Sequence, residues 1–384
     1  MNLRKKTQTI RILHVVGGMN RGGLETWLMH ILRHIDRDRF KIDFLVHTTE
    51  PCAYDDEIRA LGSKIIPCLD PSKPWLYAHN FQQILKQHGS YDIVHSHVHH
   101  FSGYVLRLAE KAGVPLRVAH SHIDSSPLEA NAAWYRRLYL NLMKGLIAKY
   151  ATLGFGCSNV ASTDLFGKQW HKDSRWQIFY CGVDMDKFRE PVDSPSIRTE
   201  LGIPENGFVI GHIGRFQKQK NHQFILEIFA EVIKREPRAY LLLVGEGCLR
   251  DDIEQQALQM GLKDSILFPG IRSDIPQIML GVMDAFLFPS LSEGLPMVGI
   301  EVQTAGLPLV ISDGITEEFQ KIKPLVQRIS LSQSTQVWAD AVLKTRNLEF
   351  QPSREECLNM MTNSEFNITS SVMKLTDSYD KNLF

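Results

Sequence analysis

The chain has 384 residues, in which 43 Lys plus Arg are balanced by 43 Asp plus Glu. No global field draws a polyanion, which sets aside a nucleic-acid partner, and the length suits two domains of ordinary size. Six cysteines, at 52, 68, 157, 181, 248 and 357, include no Cys-x-x-Cys pair, so a zinc ribbon or disulfide scaffold is excluded and a reducing, cytoplasmic setting is expected.

The N-terminus, Met-Asn-Leu-Arg-Lys-Lys, is basic, but the apolar run at 10–16 carries Arg11 and His14 and has no cleavage site. It reads as a first strand and not as a secretion signal. No run approaches the roughly 18 apolar residues of a membrane span, which predicts a soluble or at most peripheral protein. After the strand comes Gly17-Gly-Met-Asn-Arg-Gly22-Gly23, a glycine loop entering an amphipathic helix, where main-chain N–H groups and the helix dipole can hold an anion. It lacks the Gly-x-Gly-x-x-Gly dinucleotide fingerprint, and a purely steric turn explains it equally well. Further strands are expected at 42–46, 93–97 and 116–120.

The last two of these run into His95-Ser-His97-Val-His99-His100 and His120-Ser-His122. Strand alternation aims His95, His97 and His99 at one face, which admits a metal half-site and with it a histidine-rich metallohydrolase. The run carries no acidic residue, so imidazoles acting as hydrogen-bond partners at a cleft edge explain it better. Residues 134–150 place Leu138, Tyr139, Leu142, Leu146, Ile147 and Tyr150 at helical spacing among Arg136, Arg137, Lys144 and Lys149. A core helix accounts for that stripe; a basic amphipathic helix can also lie on an anionic membrane. Asp184-Met-Asp186 looks like a cation-holding Asp-x-Asp, but its place near a domain boundary suits a turn cap better.

Pro191, Pro195 and Gly202 punctuate 191–204, where the boundary is expected, and the strand-helix rhythm then restarts. Strands are expected at 208–213, 240–244, 266–269, 285–288 and 308–311, with a helix at 222–235. Continuous Val/Ile/Leu runs joined by helices mean parallel sheets buried on both faces, hence two doubly wound α/β domains. The expected division is 1–190, 191–352 and a helical segment, 353–384, that returns to the first domain.

The 208–213 strand leads into Gly214-Arg215-Phe-Gln-Lys218-Gln-Lys220, so Arg215 and Lys220 flank a strand-to-helix turn within reach of a phosphate. Gly245-Glu-Gly247 ends the next strand and offers main-chain donors. The stretch Phe288-Pro-Ser-Leu-Ser-Glu293-Gly-Leu-Pro-Met-Val-Gly-Ile-Glu301 sets two carboxylates about a Gly/Pro loop at the carboxyl edge of a sheet. Glu293 is expected to face a cleft and Glu301 to start a helix. Ionised carboxylates only accept hydrogen bonds, which suits the hydroxyls of a sugar or ribose.

Taken in order, the Gly22-Gly23 loop, the histidine strand ends, Gly182-Val-Asp184, Arg215 with Lys220, Gly245-Glu-Gly247 and Glu293 through Glu301 resemble the family 4 glycosyltransferases. Gly18-Met-Asn-Arg-Gly-Gly-Leu-Glu-Thr and Asp313-Gly-Ile-Thr-Glu317 look most like its bacterial exopolysaccharide and capsule members. The resemblance implies a GT-B fold, two Rossmann-like domains facing across a cleft, with donor mainly on the second and acceptor mainly on the first. It also implies retention of anomeric configuration, no metal and no other cofactor. The donor would be a nucleotide sugar, first of all a UDP-sugar, and the acceptor a saccharide or lipid-linked saccharide, with peripheral membrane contact through 134–150. By motif position, Arg215 and Lys220 would hold the diphosphate, with Gly22 and Gly23 completing its pocket. Glu301 would take the ribose, and Glu293 with the backbone of Leu295, Pro296, Met297 and Val298 the sugar hydroxyls. Gly245 would line the donor site, and His120, or else His122, would sit by the transferring centre. Besides the metallohydrolase, a non-catalytic nucleotide-sugar-binding protein is the remaining alternative.

Overall fold

A computed structural model describes residues 9–129, 132–348 and 351–384, so the basic N-terminal hexapeptide lies outside the described residues. The chain divides into two units, one ending at Gly182 and taking back Ile368–Phe384, the other formed by Val183–Asn367. In the first, β1 (Ile10–Val16), β2 (Phe40–Val46), β3 (Ile65–Pro67), β4 (Ile93–Ser96), β5 (Leu116–Ser121), β6 (Leu153–Gly156) and β7 (Trp176–Ile178) pair in the order β3-β2-β1-β4-β5-β6-β7. In the second, β8 (Phe208–Ile213), β9 (Ala239–Val244), β10 (Ile266–Gly270), β11 (Ala285–Phe288), β12 (Leu309–Ser312) and β13 (Val326–Ile329) pair as β10-β9-β8-β11-β12-β13. Every pairing among these strands is parallel.

Parallel strands need helical crossovers, so each sheet is covered by helices and its strands are largely apolar, with Arg11, His14, His95, Arg117 and His120 among the exceptions in the first sheet. Leu13, Val15, Val94 and Ala119 pack with Phe81, Leu106 and Ile147 in the first core. Ile210, Leu241, Leu243 and Leu287 pack with Phe229, Val232 and Trp338 in the second. Close packing also explains one glycine: a Cβ on Gly211 of β8 would lie 2.1 Å from the sulfur of Met283.

The strands expected in the sequence are all present, with ends within two residues. Four went unread: β3, β6, β7 and β13. Each has three or four residues, and β6 is Leu-Gly-Phe-Gly, whose Gly154 is needed because a Cβ there would meet the Trp176 ring at 2.4 Å. A glycine-rich four-residue run carries a turn signal, and only the neighbouring strand makes it a strand.

Compared with the expected division, the first unit gives way at Gly182 and not near Pro191, and the returning segment starts at Ile368 and not near Ser353. Helix Arg354–Thr362, opened by a Ser353/Glu356 capping box, buries Cys357 and Met361 and stays with helix Met297–Thr304 of the second unit. Helix Ile368–Leu383 buries Leu375 and Tyr379 against the first unit, where Trp27 Nε1 donates to Ser371 Oγ at 3.1 Å and Arg39 pairs with Asp380. A Cβ on Gly182 would lie 2.7 Å from Ile368 Cα, so glycine is required where the chain passes the returning helix.

Candidate active site

In a doubly wound sheet, ligands bind beyond the carboxyl ends of the strands where the strand order reverses. In the second unit that point lies between β8 and β11, and the turns leaving these two strands carry the residues singled out above. The turn after β8 tightens into a 3-10 segment, Lys218–Lys220, and Asn221, at φ 58, adopts the left-handed conformation before helix His222–Ile233. The loop after β11 is tied to this turn. Leu291 N–H donates to Gln219 O (2.9 Å), Gln219 Nε2 to Ser292 O (2.6 Å) and Asn221 Nδ2 to Pro289 O (3.2 Å). Ser312 Oγ at the end of β12 donates to Ser290 O (2.5 Å).

Within this clamp Lys220 Nζ lies 2.7 Å from Glu293 Oε1 and 5.0 Å from the centroid of the Phe288 ring. The two side chains keep only 19 % and 10 % of their surface, so the ion pair is largely sheltered from solvent and held in place. Arg215 is exposed on the same turn. Leu295 is buried and Pro296 caps helix Met297–Thr304, so the N–H groups of Met297 and Val298 occupy its first turn, where an α-helix leaves donors without internal partners. Pro296 itself has no N–H, and can contribute shape and a carbonyl only.

Two expectations change here. Glu301 does not start the helix: Met297 does, and Glu301 is its fifth residue, because Pro296 sets the N-terminus earlier. Its carboxyl is crowded enough that burial pushes its pKa up to about 7, opposed in part by Lys187. Gly245 does not present a main-chain donor, since its N–H is given to Gly270 O at 2.9 Å. Its role is close approach: at φ 140, a Cβ there would lie 2.1 Å from Gly214 O.

In the first unit the corresponding point lies between β1 and β4, where His14 pairs in register with His95. Two hydrogen-bonded rows of imidazoles cross the sheet. Tyr379 OH, His95 and His120 form one, at 2.7 and 3.1 Å; His14, His97 and His122 form the other, at 2.8 and 2.9 Å, with Cys181 Sγ 3.7 Å beyond. Trp27, Phe155 and Phe179 wall the cluster. Burial holds all five histidines neutral, with His14 and His122 lowered to about 3 and the others also depressed.

His120 is fully enclosed, with Nε2 buried and unpartnered, whereas His122 reaches the surface just past the end of β5. His99 leaves the row: β4 ends at Ser96, and at φ 48 His99 turns toward Ser125 Oγ (3.0 Å) and Asp164 (3.2 Å). The expected His95/His97/His99 half-site is therefore not formed. His14, His95 and His97, and likewise His97, His120 and His122, do bring ring nitrogens within 4.8 Å of one another, but in each group they already bond to other imidazoles. Tyr379 and His14 were not foreseen in this cluster; a lone tyrosine in a C-terminal helix carries no signal of where that helix returns. Asp184 accepts from Asp186 N–H at 3.2 Å and caps the 3-10 turn Met185–Phe188, in keeping with the turn-cap reading. Gly22 caps helix Gly23–His34, its carbonyl accepting from Thr26 N–H (2.8 Å), so the glycine loop does open a helix N-terminus at the end of β1.

Comparison with known proteins agrees with this anatomy. Residues 21–187 match the family described as Glycosyltransferase Family 4, and residues 193–357 that described as Glycosyl transferases group 1. EpsF of Bacillus subtilis strain 168, named as a glycosyltransferase, is 36% identical over 375 residues, covering 96% of each chain. CapH of Staphylococcus aureus, named as a capsular polysaccharide biosynthesis glycosyltransferase, is 26% identical over 65% of this chain and 66% of its own. Among solved structures, Anabaena HepE in complex with UDP-glucose superposes with a TM-score of 0.79 at 19% identity, covering 97% of this chain and all of that one. The chain belongs to the family 4 glycosyltransferases and has their GT-B fold of two Rossmann-like domains.

Proposed function

We propose that the protein is a retaining hexosyltransferase that works in the cytoplasm without a metal ion. It moves a sugar from a nucleotide donor, first of all a UDP-sugar, to a saccharide or lipid-linked saccharide in cell-surface or exopolysaccharide synthesis. The observation that carries this reading is the sheltered Lys220–Glu293 pair at the point where the second sheet reverses its strand order. The name of CapH supports the polysaccharide context, and the UDP-glucose complex of HepE supports the donor class.

Breaking the bond from the anomeric carbon to phosphate leaves negative charge on the departing diphosphate. Fixed cations stabilise that charge more in the transition state than in the ground state, and they need no reorganisation when it forms. Lys220 and Arg215 are assigned this part, which is the part a metal ion would otherwise play. Glu293 positions Lys220 and, with the Met297 and Val298 N–H groups, takes the sugar hydroxyls; Glu301 takes the ribose. On the first unit, Gly22 and Gly23 offer helix N-terminal N–H groups to a phosphate oxygen. His122 is preferred to His120 for the contact with a sugar hydroxyl, because His120 has no exposed surface.

The test is thermal stabilisation by UDP-, GDP-, ADP- and dTDP-sugars in EDTA, wild type beside Arg215→Ala, followed by product analysis. Stabilisation by one nucleotide class, lost in the variant, and a product that keeps the donor's anomeric configuration are expected. Neither hydrolysis nor transfer with any donor would defeat the reading. Tightly bound zinc or manganese required for turnover would favour the metallohydrolase.

A further inference from the structure

The turn after β4 sets aside two imidazoles that the rows across the first sheet do not use. His99 and His100 follow one another in the 3-10 turn His99–Phe101, their rings 4.0 Å apart. His100 is 4 % exposed, and neither of its ring nitrogens has a hydrogen-bond partner among the described residues; the same holds for the buried Nδ1 of His99. A buried polar atom left without a partner is costly, so three of them in two touching rings call for a ligand. His99 adds backbone strain, because φ 48 holds a residue with a Cβ in the left-handed region.

Asp164, buried in helix Asn159–Phe166, completes the set, with Oδ2 3.2 Å from His99 Nε2. One ring nitrogen of His99, one of His100 and a carboxylate oxygen of Asp164 all lie within 4.8 Å of one another. Two ligands of a tetrahedral zinc stand roughly 3.4 Å apart, so a small closure about an ion suffices. The carboxylate is already oriented: Ser125 donates to Oδ2 from N and from Oγ, both at 2.7 Å, while Lys144 Nζ lies on the other side, 3.6 Å from Oδ1. Such partners fix the direction of a metal ligand. Ser125 Oγ is also 3.0 Å from His99 Nε2, at the edge of the same group. Two imidazoles with a single carboxylate suit zinc, whereas calcium and magnesium ask for oxygens throughout. An anion in this place would face the Asp164 carboxylate.

We propose that His99, His100 and Asp164 bind a structural zinc ion, with Ser125 Oγ or a water in the fourth position, and that the ion staples the turn after β4 to helix Asn159–Phe166. The ion is given no step in sugar transfer. Its tests use neither donor nor acceptor, so failure of this site and failure of the transfer reading are distinguishable.

The experiment is titration of the full chain with zinc, after stripping by a chelator that is then removed, followed by thermal melting and X-ray absorption at the zinc edge. Wild type should bind one zinc ion per chain, melt at a higher temperature when loaded, and show two imidazole ligands. Asp164→Asn and His100→Gln should each weaken binding by roughly tenfold or more and lose most of the melting shift. His97→Asn should bind as wild type, although it breaks both of the groups in which three imidazoles come together. Circular dichroism would verify that each variant is folded; if either site variant is not, the ligand set of the wild type decides. Folded wild type that binds no zinc overturns the proposal. So does a site of three imidazoles, or one that His97→Asn abolishes, since the ion would then sit in the rows across the sheet.

Discussion

The two units build the same sheet and equip it oppositely. Reading outward from β1 and from β8, the first six strands follow one order, 3-2-1-4-5-6, and both reversal points carry the polar residues of interest. In the second unit that point holds a lysine-glutamate pair with an exposed arginine beside it; in the first it holds five imidazoles kept neutral by aromatic walls. A charged edge can hold a charged group. A neutral one can exchange hydrogen bonds with hydroxyls without competing for phosphate. One topology thus carries two kinds of strand-end chemistry, and the side chains decide which.

The largest effect should come from discharging the charged edge. Lys220→Ala removes a fixed cation and leaves Glu293 sheltered without its partner. Turnover should fall by roughly two to three orders of magnitude, with stabilisation by the donor nucleotide lost. Near-normal kcat in a folded variant would refute the role given to the pair.

Acid should attack the neutral edge first. His14 and His122 titrate at about 3 in the folded chain and near 6.5 when unfolded, so the stability tied to their neutrality is complete above 6.5 and is lost as pH falls toward 3. Each such histidine can cost up to about 1.4 kcal/mol per pH unit across that window. His212 and His222 act in the same direction in the second unit but are fewer. Hydrogen exchange between pH 6.5 and 4 should show the first unit opening ahead of the second; simultaneous opening would erase the asymmetry.

Tyr379→Phe sharpens the point within the first unit. It takes the hydroxyl from His95 Nδ1, 2.7 Å away in a buried site, and should lower stability by about 1–3 kcal/mol, read by denaturant unfolding. An unchanged midpoint would mean that the tyrosine row carries no energy.

Glu301 gives the smallest and most specific effect. Its carboxyl is raised to about 7 from an ordinary 4.5, so its contribution to stability is complete below 4.5 and is lost as pH rises through 7. This is the reverse of the histidines. If the ionised form accepts ribose hydroxyls, donor affinity should rise several-fold from pH 6 to 8 and become flat in Glu301→Gln. Calorimetric titration at both pH values would decide, and an equal slope in the variant would remove Glu301 from the ribose.

Much of the site was legible because its residues lie at strand ends, where apolar run, turn and helix mark the chain clearly. Lys220 and Glu293 could be named from the sequence, but not their contact: 73 residues separate them, and only the pairing of β8 with β11 brings their loops together. Gly245 was misjudged because a glycine after a strand looks the same whether its N–H is open or given to the next strand. The proposed preference for His122 over His120 rests on burial, which alternation along a strand does not reveal.

By itself the sequence determined the two α/β units, their parallel strands and the residue types at each strand end, because apolar periodicity and Gly/Pro punctuation are local properties of the chain. Tertiary structure alone decided the strand order, the return of Ile368–Leu383 that brings Tyr379 to His95, and which carboxyl is pushed up by burial. Those depend on which distant segments exclude water from one another, and desolvation is a property of the neighbourhood and not of the residue.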